Sequence, residues 1–289
     1  MFKYSNKTAV VTGASRGIGK AIATTLANNG MQVIGIATSE KSLDAIRDIK
    51  NIIPFCCNIS DEKSIEDLYA FVKEHSSNID ILVNNAGILR DKTLYNMEES
   101  EWDGIMEVHL KGHYNCTRPF VRYIRDDNRL NCRILNMSSV SGLFGNFGQT
   151  NYGAAKAGIA GFTRSLALEV AKYKCTVNTI SPGAATRLTI DLIEAAGRKY
   201  DENDWTQGPE QIAPVVTWLC SDAADNVTSQ IIHSQAGTLG IMQQPAVIKS
   251  FTTENLWTIE QLDALMPELL EAKKHHDDEV SEKGAPEKV

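Results

Sequence analysis

Tyr152 and Lys156 stand four apart in Asn151-Tyr-Gly-Ala-Ala-Lys156, and on a helix that spacing puts both side chains on one face. An ammonium beside a phenol favours the phenolate, so the tyrosine pKa is expected to fall below its ordinary value of about 10. A phenol tuned in that way can donate or accept a proton near neutral pH. Just upstream, Ser138-Ser139-Val-Ser141 forms a hydroxyl-rich loop, and each of these serines can hydrogen-bond an oxygen on which charge develops. On their own these residues also fit an exposed helix face and a loop of local hydrogen-bonders.

A second chemical signal lies near the amino terminus. Residues 8–12 read as a short apolar strand, Gly13-Ala-Ser15-Arg16-Gly17-Ile18-Gly19 follows at once, and residues 20–29 read as a helix. Glycines in such a turn allow a tight bend, close approach of backbone to a pyrophosphate and close packing of helix on strand, and a helix N-terminus favours an anion. The spacing is Gly-x-x-x-Gly-x-Gly, a departure from the Gly-x-Gly-x-x-Gly dinucleotide fingerprint.

The elements that must position these residues alternate in type. Apolar runs at 31–37, 52–57, 79–84, 133–137, 176–180 and 231–233 read as further strands, making seven. Between them, 42–50, a segment capped by Ser60, 100–109, 111–125, 152–173 and 209–220 read as helices. Strands apolar on both faces, alternating with helices, predict an α/β fold: a doubly wound parallel seven-stranded sheet with helices on both faces, in a single domain. Residues 1–245 form the expected catalytic, dinucleotide-binding domain. Residues 246–275 form a helical extension, opened by a cap at Thr258-Ile-Glu-Gln261, and 276–289 a disordered charged tail. His275 and His276 fall at that tail and read as a solvated pair, so no metal site is expected.

Of the 289 residues, 43% are hydrophobic and 22% charged, which is ordinary globular composition. A formal charge of -7 argues against a nucleic-acid partner. No apolar run approaches the about 20 residues of a membrane span, and the first residues lack a signal core. A cytoplasmic location with no membrane association is expected. The six cysteines show no zinc spacing and read as free thiols, with Cys56 and Cys57 as small core residues on opposite strand faces.

In chain order, Thr12-Gly-Ala-Ser-Arg-Gly-Ile-Gly19, Asn84-Asn-Ala-Gly87, Ser139, Tyr152-x-x-x-Lys156 and Ser181-Pro-Gly183 resemble the short-chain dehydrogenase/reductase superfamily. The resemblance implies a Rossmann-like fold, a nicotinamide dinucleotide, a homotetramer, and Ser139, Tyr152 and Lys156 as catalytic residues. It implies that Tyr152 gives the carbonyl oxygen its proton, Ser139 hydrogen-bonds that oxygen, and Lys156 tunes the tyrosine and holds the nicotinamide ribose. It counts Gly13, Ser15, Arg16, Gly17, Ile18, Gly19, Thr38, Asn58, Ile59, Asn84, Asn85, Ala86, Gly87, Pro182 and Gly183 among the cofactor-binding residues, together with Tyr152 and Lys156. Thr186 is the implied contact to the nicotinamide amide. Two departures stand out. His109 occupies the place where many members carry an asparagine that organises water near the lysine, and it reads either as its substitute or as a core histidine. The segment after Gly183 is one residue shorter than in typical acyl-carrier-protein reductases.

The end of the second strand reads Ala37-Thr38-Ser39, with no acid before Glu40, and Arg16 sits in the glycine turn. A missing acid, a cation and hydroxyls favour NADP(H) over NAD(H). The amino-terminal half, notably residues 34–40, is similar to 3-oxoacyl-[acyl-carrier-protein] reductases. Residues 88–92, 108–112, 145–152, 216–220 and the tail beyond Gly240 are more similar to 3-hydroxyacyl-CoA dehydrogenases of multifunctional β-oxidation enzymes and of bacterial steroid side-chain degradation, which commonly use NAD. Both groups interconvert 3-oxo and 3-hydroxy acyl thioesters, so that chemistry is expected, on acyl carrier protein or CoA. Leu143, Phe144, Phe147 and Ile190 are candidates to line an acyl pocket. The alternatives are a non-catalytic NADP-binding scaffold or sensor, and an oxidoreductase of steroids or sugar alcohols.

Overall fold

The computed structural model describes residues 4, 6–76, 78–184, 197, 200, 201 and 203–283. Among these, eight strands form one sheet: β1 (Thr8–Thr12), β2 (Gln32–Ala37), β3 (Ile52–Cys56), β4 (Ile81–Asn84), β5 (Arg133–Met137), β6 (Thr176–Gly183), β7 (Ile231–Gln235) and β8 (Thr238–Ile241). Their order is β3-β2-β1-β4-β5-β6-β7-β8. All neighbours run parallel except β7 and β8. The order reverses between β1 and β4, and at such a switch point the loops beyond the strand ends diverge and leave a crevice.

Strand alternation divides the core. Ala9, Val11, Ile81, Val83, Leu135 and Met137 face α1 (Gly17–Asn28), α8 (Ala213–Leu219) and the start of the polypeptide. Val10, Leu82 and Ile134 face the opposite way, against α3 (Glu62–His75), α5 (Gly112–Asp126) and α7 (Thr150–Val170). Because both faces are covered, β1, β4 and β5 are buried at every position, which is why they read as continuous apolar runs. The remaining α-helices among the described residues of this body are α2 (Glu40–Leu43), α4 (Glu99–Ile105) and α6 (Val140–Phe144).

The fold is the expected Rossmann-like α/β sheet, with one strand more than the seven expected. Gln235 pairs with Thr238 across Ala236 and Gly237, both at positive φ (47° and 79°). Two positive-φ residues make the tight turn of a hairpin, so the chain doubles back into an antiparallel edge strand too short to be read by pattern. The helix expected over 42–50 is replaced by the short α2 and turns, in which Ile46 and Ile49 bond three residues back rather than four. Asp61, not Ser60, caps α3, its carboxylate accepting from Ser64 N at 2.9 Å. Between α4 and α5 the chain makes a π-helical stretch, Met106–Lys111, which joins the two helices expected to be separate. Cys56, expected in the core, is exposed because β3 lies at the sheet edge, whereas Cys57 is buried; all six cysteines are free.

Packing divides the chain into Met1–Met242 and Gln243–Val289, three residues before the boundary expected from sequence. In the second unit α9 (Ile259–Lys283) begins with the expected cap: Gln261 N donates to Thr258 Oγ1 at 3.2 Å, and Thr258 N to Gln261 Oε1 at 3.0 Å. The helix runs beyond residue 275 into the segment expected to be disordered, to Lys283. Pairs four apart, Glu271 with His275 and Lys273 with Asp277, support that continuation.

Candidate active site

The turn after β1 places Gly13 at φ 67° and Gly17 at φ 52°, conformations in which a Cβ is strained. Space is also limiting: a Cβ on Gly13 would lie 2.8 Å from Ala86 Cα, and one on Gly19 only 2.2 Å from Gly13 O. The second contact brings the helix start directly onto the turn. The turn is tied to β4 by Thr12 Oγ1, which accepts from Asn85 N (2.9 Å) and Ala86 N (3.0 Å). Asn85 Nδ2 in turn donates to Thr12 O at 2.9 Å.

A cleft of about 420 Å³ opens at this switch point. Gly13, Ser15, Arg16, Gly17, Ile18 and Gly19 line one end, Thr38, Asn58 and Ile59 the next stretch, and Asn85, Ala86, Gly87, Pro182, His109, Ser139, Tyr152 and Lys156 the remainder. Two expected cofactor residues are not brought there. Asn84 is buried, its Nδ2 donating to Thr117 Oγ1 (3.0 Å) and Asn136 Oδ1 (2.9 Å), because the strand alternation turns it into the protein. Gly183 is absent from the lining and faces β7, where a Cβ would meet the Gln235 side chain at 2.3 Å. Thr186 and Ile190 lie outside the described residues. The aromatic candidates for an acyl pocket, Phe144 and Phe147, are exposed (74% and 89%), and Leu143 is absent from the cleft wall. Ile88, Leu89 and Val108 form apolar wall instead, and Ser42 lines the cleft together with Thr38. Sequence reasoning missed these four, although Ser42 lies on α2, the helix that directly follows Thr38-Ser39.

At the catalytic end Ser139 caps α6, its Oγ accepting from Ser141 N at 3.2 Å. The competing serines are already engaged: Ser138 Oγ donates to Lys156 O (2.8 Å) and Ser141 Oγ to Gln149 Oε1 (2.7 Å). Lys156, 3% exposed, gives its Nζ to Met137 O at 2.6 Å and lies 5.5 Å from the centre of the Tyr152 ring. The expectation of a lowered tyrosine pKa is not met. Burial pushes Tyr152 up to about 12 despite the Ser139 hydroxyl, which pulls it back. Burial also brings Lys156 down to about 7. Both shifts have one cause, since a dry site penalises phenolate and ammonium alike.

His109 sits in the π-helical stretch with its ring edge-on to Tyr152, centroids 5.2 Å apart at 89°. Its Nε2 lies 2.8 Å from Ile88 O, and burial, then the charge of Lys156, hold its pKa well below the ordinary value. Its Nδ1 is buried and has no hydrogen-bond partner among the described residues. Glycine at 87 makes room for the ring, since a Cβ there would lie 2.5 Å from His109 Cε1.

A parallel sheet with a glycine-lined anion turn at its switch point and a serine, tyrosine and lysine beyond its carboxyl edge defines an oxidoreductase of the dinucleotide-binding α/β class. Residues 7–195 match the model of the short chain dehydrogenase family. The chain belongs to that family. It is 40% identical over 240 residues to the 3-oxoacyl-[acyl-carrier-protein] reductase FabG of Escherichia coli K12, covering 81% of this chain and 98% of the relative. Against the reductase of the same name from Thermotoga maritima it is 37% identical over 245 residues, covering 81% and 98%. A crystal structure of a short chain dehydrogenase from Mycobacterium avium superposes with a TM-score of 0.83 at 30% identity, covering 93% of this chain and 96% of that one.

Proposed function

We propose that the protein is an NADP(H)-dependent oxidoreductase that interconverts 3-oxoacyl and 3-hydroxyacyl thioesters, acting chiefly as a 3-oxoacyl-[acyl-carrier-protein] reductase. The observation that carries this is the convergence of Ser139, Tyr152 and Lys156 on the cleft that begins at the glycine turn. The turn fits a pyrophosphate: backbone approaches closely at Gly13 and Gly19, and α1 has no acidic residue in its first turn to repel an anion. A cleft of about 420 Å³ is within the usual range for a small-molecule site.

Selection of the 2'-phosphate falls to Arg16, with Thr38 and Ser42 beside it. Glu40, the one acid near the end of β2, is turned to Arg47 at 3.0 Å and does not line the cleft. When bound, the nicotinamide supplies or accepts a hydride. Tyr152, whose pKa burial pushes up to about 12, is protonated at neutral pH and is the proton donor to the carbonyl oxygen. Ser139 donates to the same oxygen as charge develops. Lys156, when protonated, places positive charge 5.5 Å from the centre of the Tyr152 ring, and Ile88, Leu89 and Val108 supply apolar wall in the same cleft. The same reading makes the protein a cytoplasmic homotetramer.

The test compares NADPH and NADH oxidation with acetoacetyl-acyl-carrier-protein and acetoacetyl-CoA. NADPH with the carrier-protein substrate is expected to give the highest kcat/KM. Preference for NADH and the CoA ester would replace the reductase with a 3-hydroxyacyl-CoA dehydrogenase, and no turnover of either thioester would remove the proposal altogether.

A further inference from the structure

Three residues before Tyr152, Gln149 is buried and fully engaged. Its Oε1 accepts from Ser141 Oγ (2.7 Å) and Asn146 Nδ2 (3.0 Å), and its Nε2 donates to Asp91 Oδ2 at 2.6 Å. Asp91 belongs to the segment after β4 and meets the start of α7 through Gln149. The residues on either side of it are fastened to the same helix start: Asn151 Nδ2 donates to Arg90 O at 3.0 Å, and Lys92 pairs with Gln149 through the backbone. Asn151 also accepts from Tyr152 N at 2.7 Å. Two bonded paths therefore leave this short segment. One runs Asp91–Gln149–Ser141–Ser139, the other Arg90–Asn151–Tyr152.

A brace would need only the first oxygen of Asp91. The second, Oδ1, is buried and has no hydrogen-bond partner among the described residues. Among the described residues no cation is paired with the carboxylate either: Lys92 is paired with Glu101 at 2.9 Å, and Arg90 donates to Leu89 O at 3.0 Å. A half-buried, unpaired carboxylate is an expensive way to orient an amide, which asparagine could do without charge. We propose that Asp91 is a positioning residue for the hydride-transfer site, holding Ser139 in line with Tyr152 through Gln149 and Ser141 and acting on the phenol through its charge. The charge favours the protonated phenol, in the same direction as burial. The other groups around that phenol are the Lys156 ammonium, the neutral ring of His109 and the Ser139 hydroxyl. Asp91 is therefore the one anion that acts on it among the described residues.

The proposal rests on Tyr152 as the proton donor, and the experiment separates the two. Steady-state kcat and KM for acetoacetyl-CoA reduction are measured from pH 6 to about 12 for wild type, Asp91→Asn, Gln149→Ala and Tyr152→Phe, each checked for cooperative unfolding and for being folded at every pH used. Asp91→Asn keeps an acceptor for Gln149 and removes the charge. It is expected to lower kcat about 10-fold, with KM nearly unchanged, and to move the alkaline limb of the profile to lower pH. Gln149→Ala cuts the bonded path and keeps the charge, and is expected to lower kcat without moving that limb. Wild-type kcat and pH profile in Asp91→Asn would overturn the role of Asp91. Full activity of Tyr152→Phe would instead overturn the assignment of the proton donor.

Discussion

Replacing Lys156 by methionine is expected to stabilise the ligand-free protein, and to do so in a pH-dependent way. The ammonium is buried, with Met137 O as its one hydrogen-bond acceptor among the described residues, and burial lowers its pKa from 10.5 to about 7. Each pH unit between folded and unfolded values is worth about 1.4 kcal/mol, so the gap corresponds to roughly 5 kcal/mol. The sign follows from proton binding. Below pH 7 both states are protonated and the folded state carries the whole burden of the buried charge. From there to pH 10.5 the unfolded state binds more protons, so stability rises with pH, and above that range the burden is gone. Methionine fills a similar volume without titrating, while Met137 O loses a donor, which returns about 1–2 kcal/mol. The net gain is about 3 kcal/mol at pH 6, shrinking towards pH 10 and reversing once the lysine is neutral. Urea unfolding of both proteins at pH 6, 7, 8, 9 and 10 measures it, and groups common to both cancel in the difference. A difference that stays constant with pH would refute the reasoning, because it would mean that Lys156 titrates alike in both states. A lysine kept where methionine is more stable is consistent with a residue retained for catalysis.

Two further substitutions probe the same cleft. Gly142→Ala places a Cβ 2.6 Å from the carbonyl carbon of Lys156 and 2.7 Å from Ala157 N, so α6 and α7 must part. A loss of about 1–3 kcal/mol in urea unfolding, with lower kcat, is expected, and wild-type stability would contradict the close packing. Arg16→Ala is expected to raise the KM for NADPH roughly 10- to 100-fold while leaving that for NADH nearly unchanged, from the loss of one charge-assisted bond. Equal changes for the two cofactors would remove Arg16 as the selecting residue.

The glycine turn, the Tyr152–Lys156 pair and the alternating strands were legible because each is a local pattern whose spacing carries its geometry. What failed depended on direction or depth. Asn84 and Asn85 are adjacent in a recognisable motif, yet one points between β4 and β5 and the other bridges to the glycine turn. The tyrosine pKa was expected to fall because spacing reveals the nearby lysine but not the burial that outweighs it. Cys56 was placed in the core because an apolar run does not say whether its strand is central or at an edge. Asp91 drew no attention because its partner Gln149 is 58 positions away. The eighth strand escaped notice because its hairpin depends on two positive φ angles, one of them at an alanine.

The strand order also bears on how the chain is built. By the time Asn84 has been made, β3, β2, β1 and β4 can already form a contiguous half-sheet. Every later strand joins at the outer side of the one made just before it. Growth in one direction suits synthesis from the amino terminus, since no later strand must insert between two that are already paired. The first half contains the anion turn, whereas Ser139, Tyr152 and Lys156 arrive only with β5 and α7. A nascent chain can thus shape its glycine turn well before it holds the serine, tyrosine and lysine that share the cleft with it.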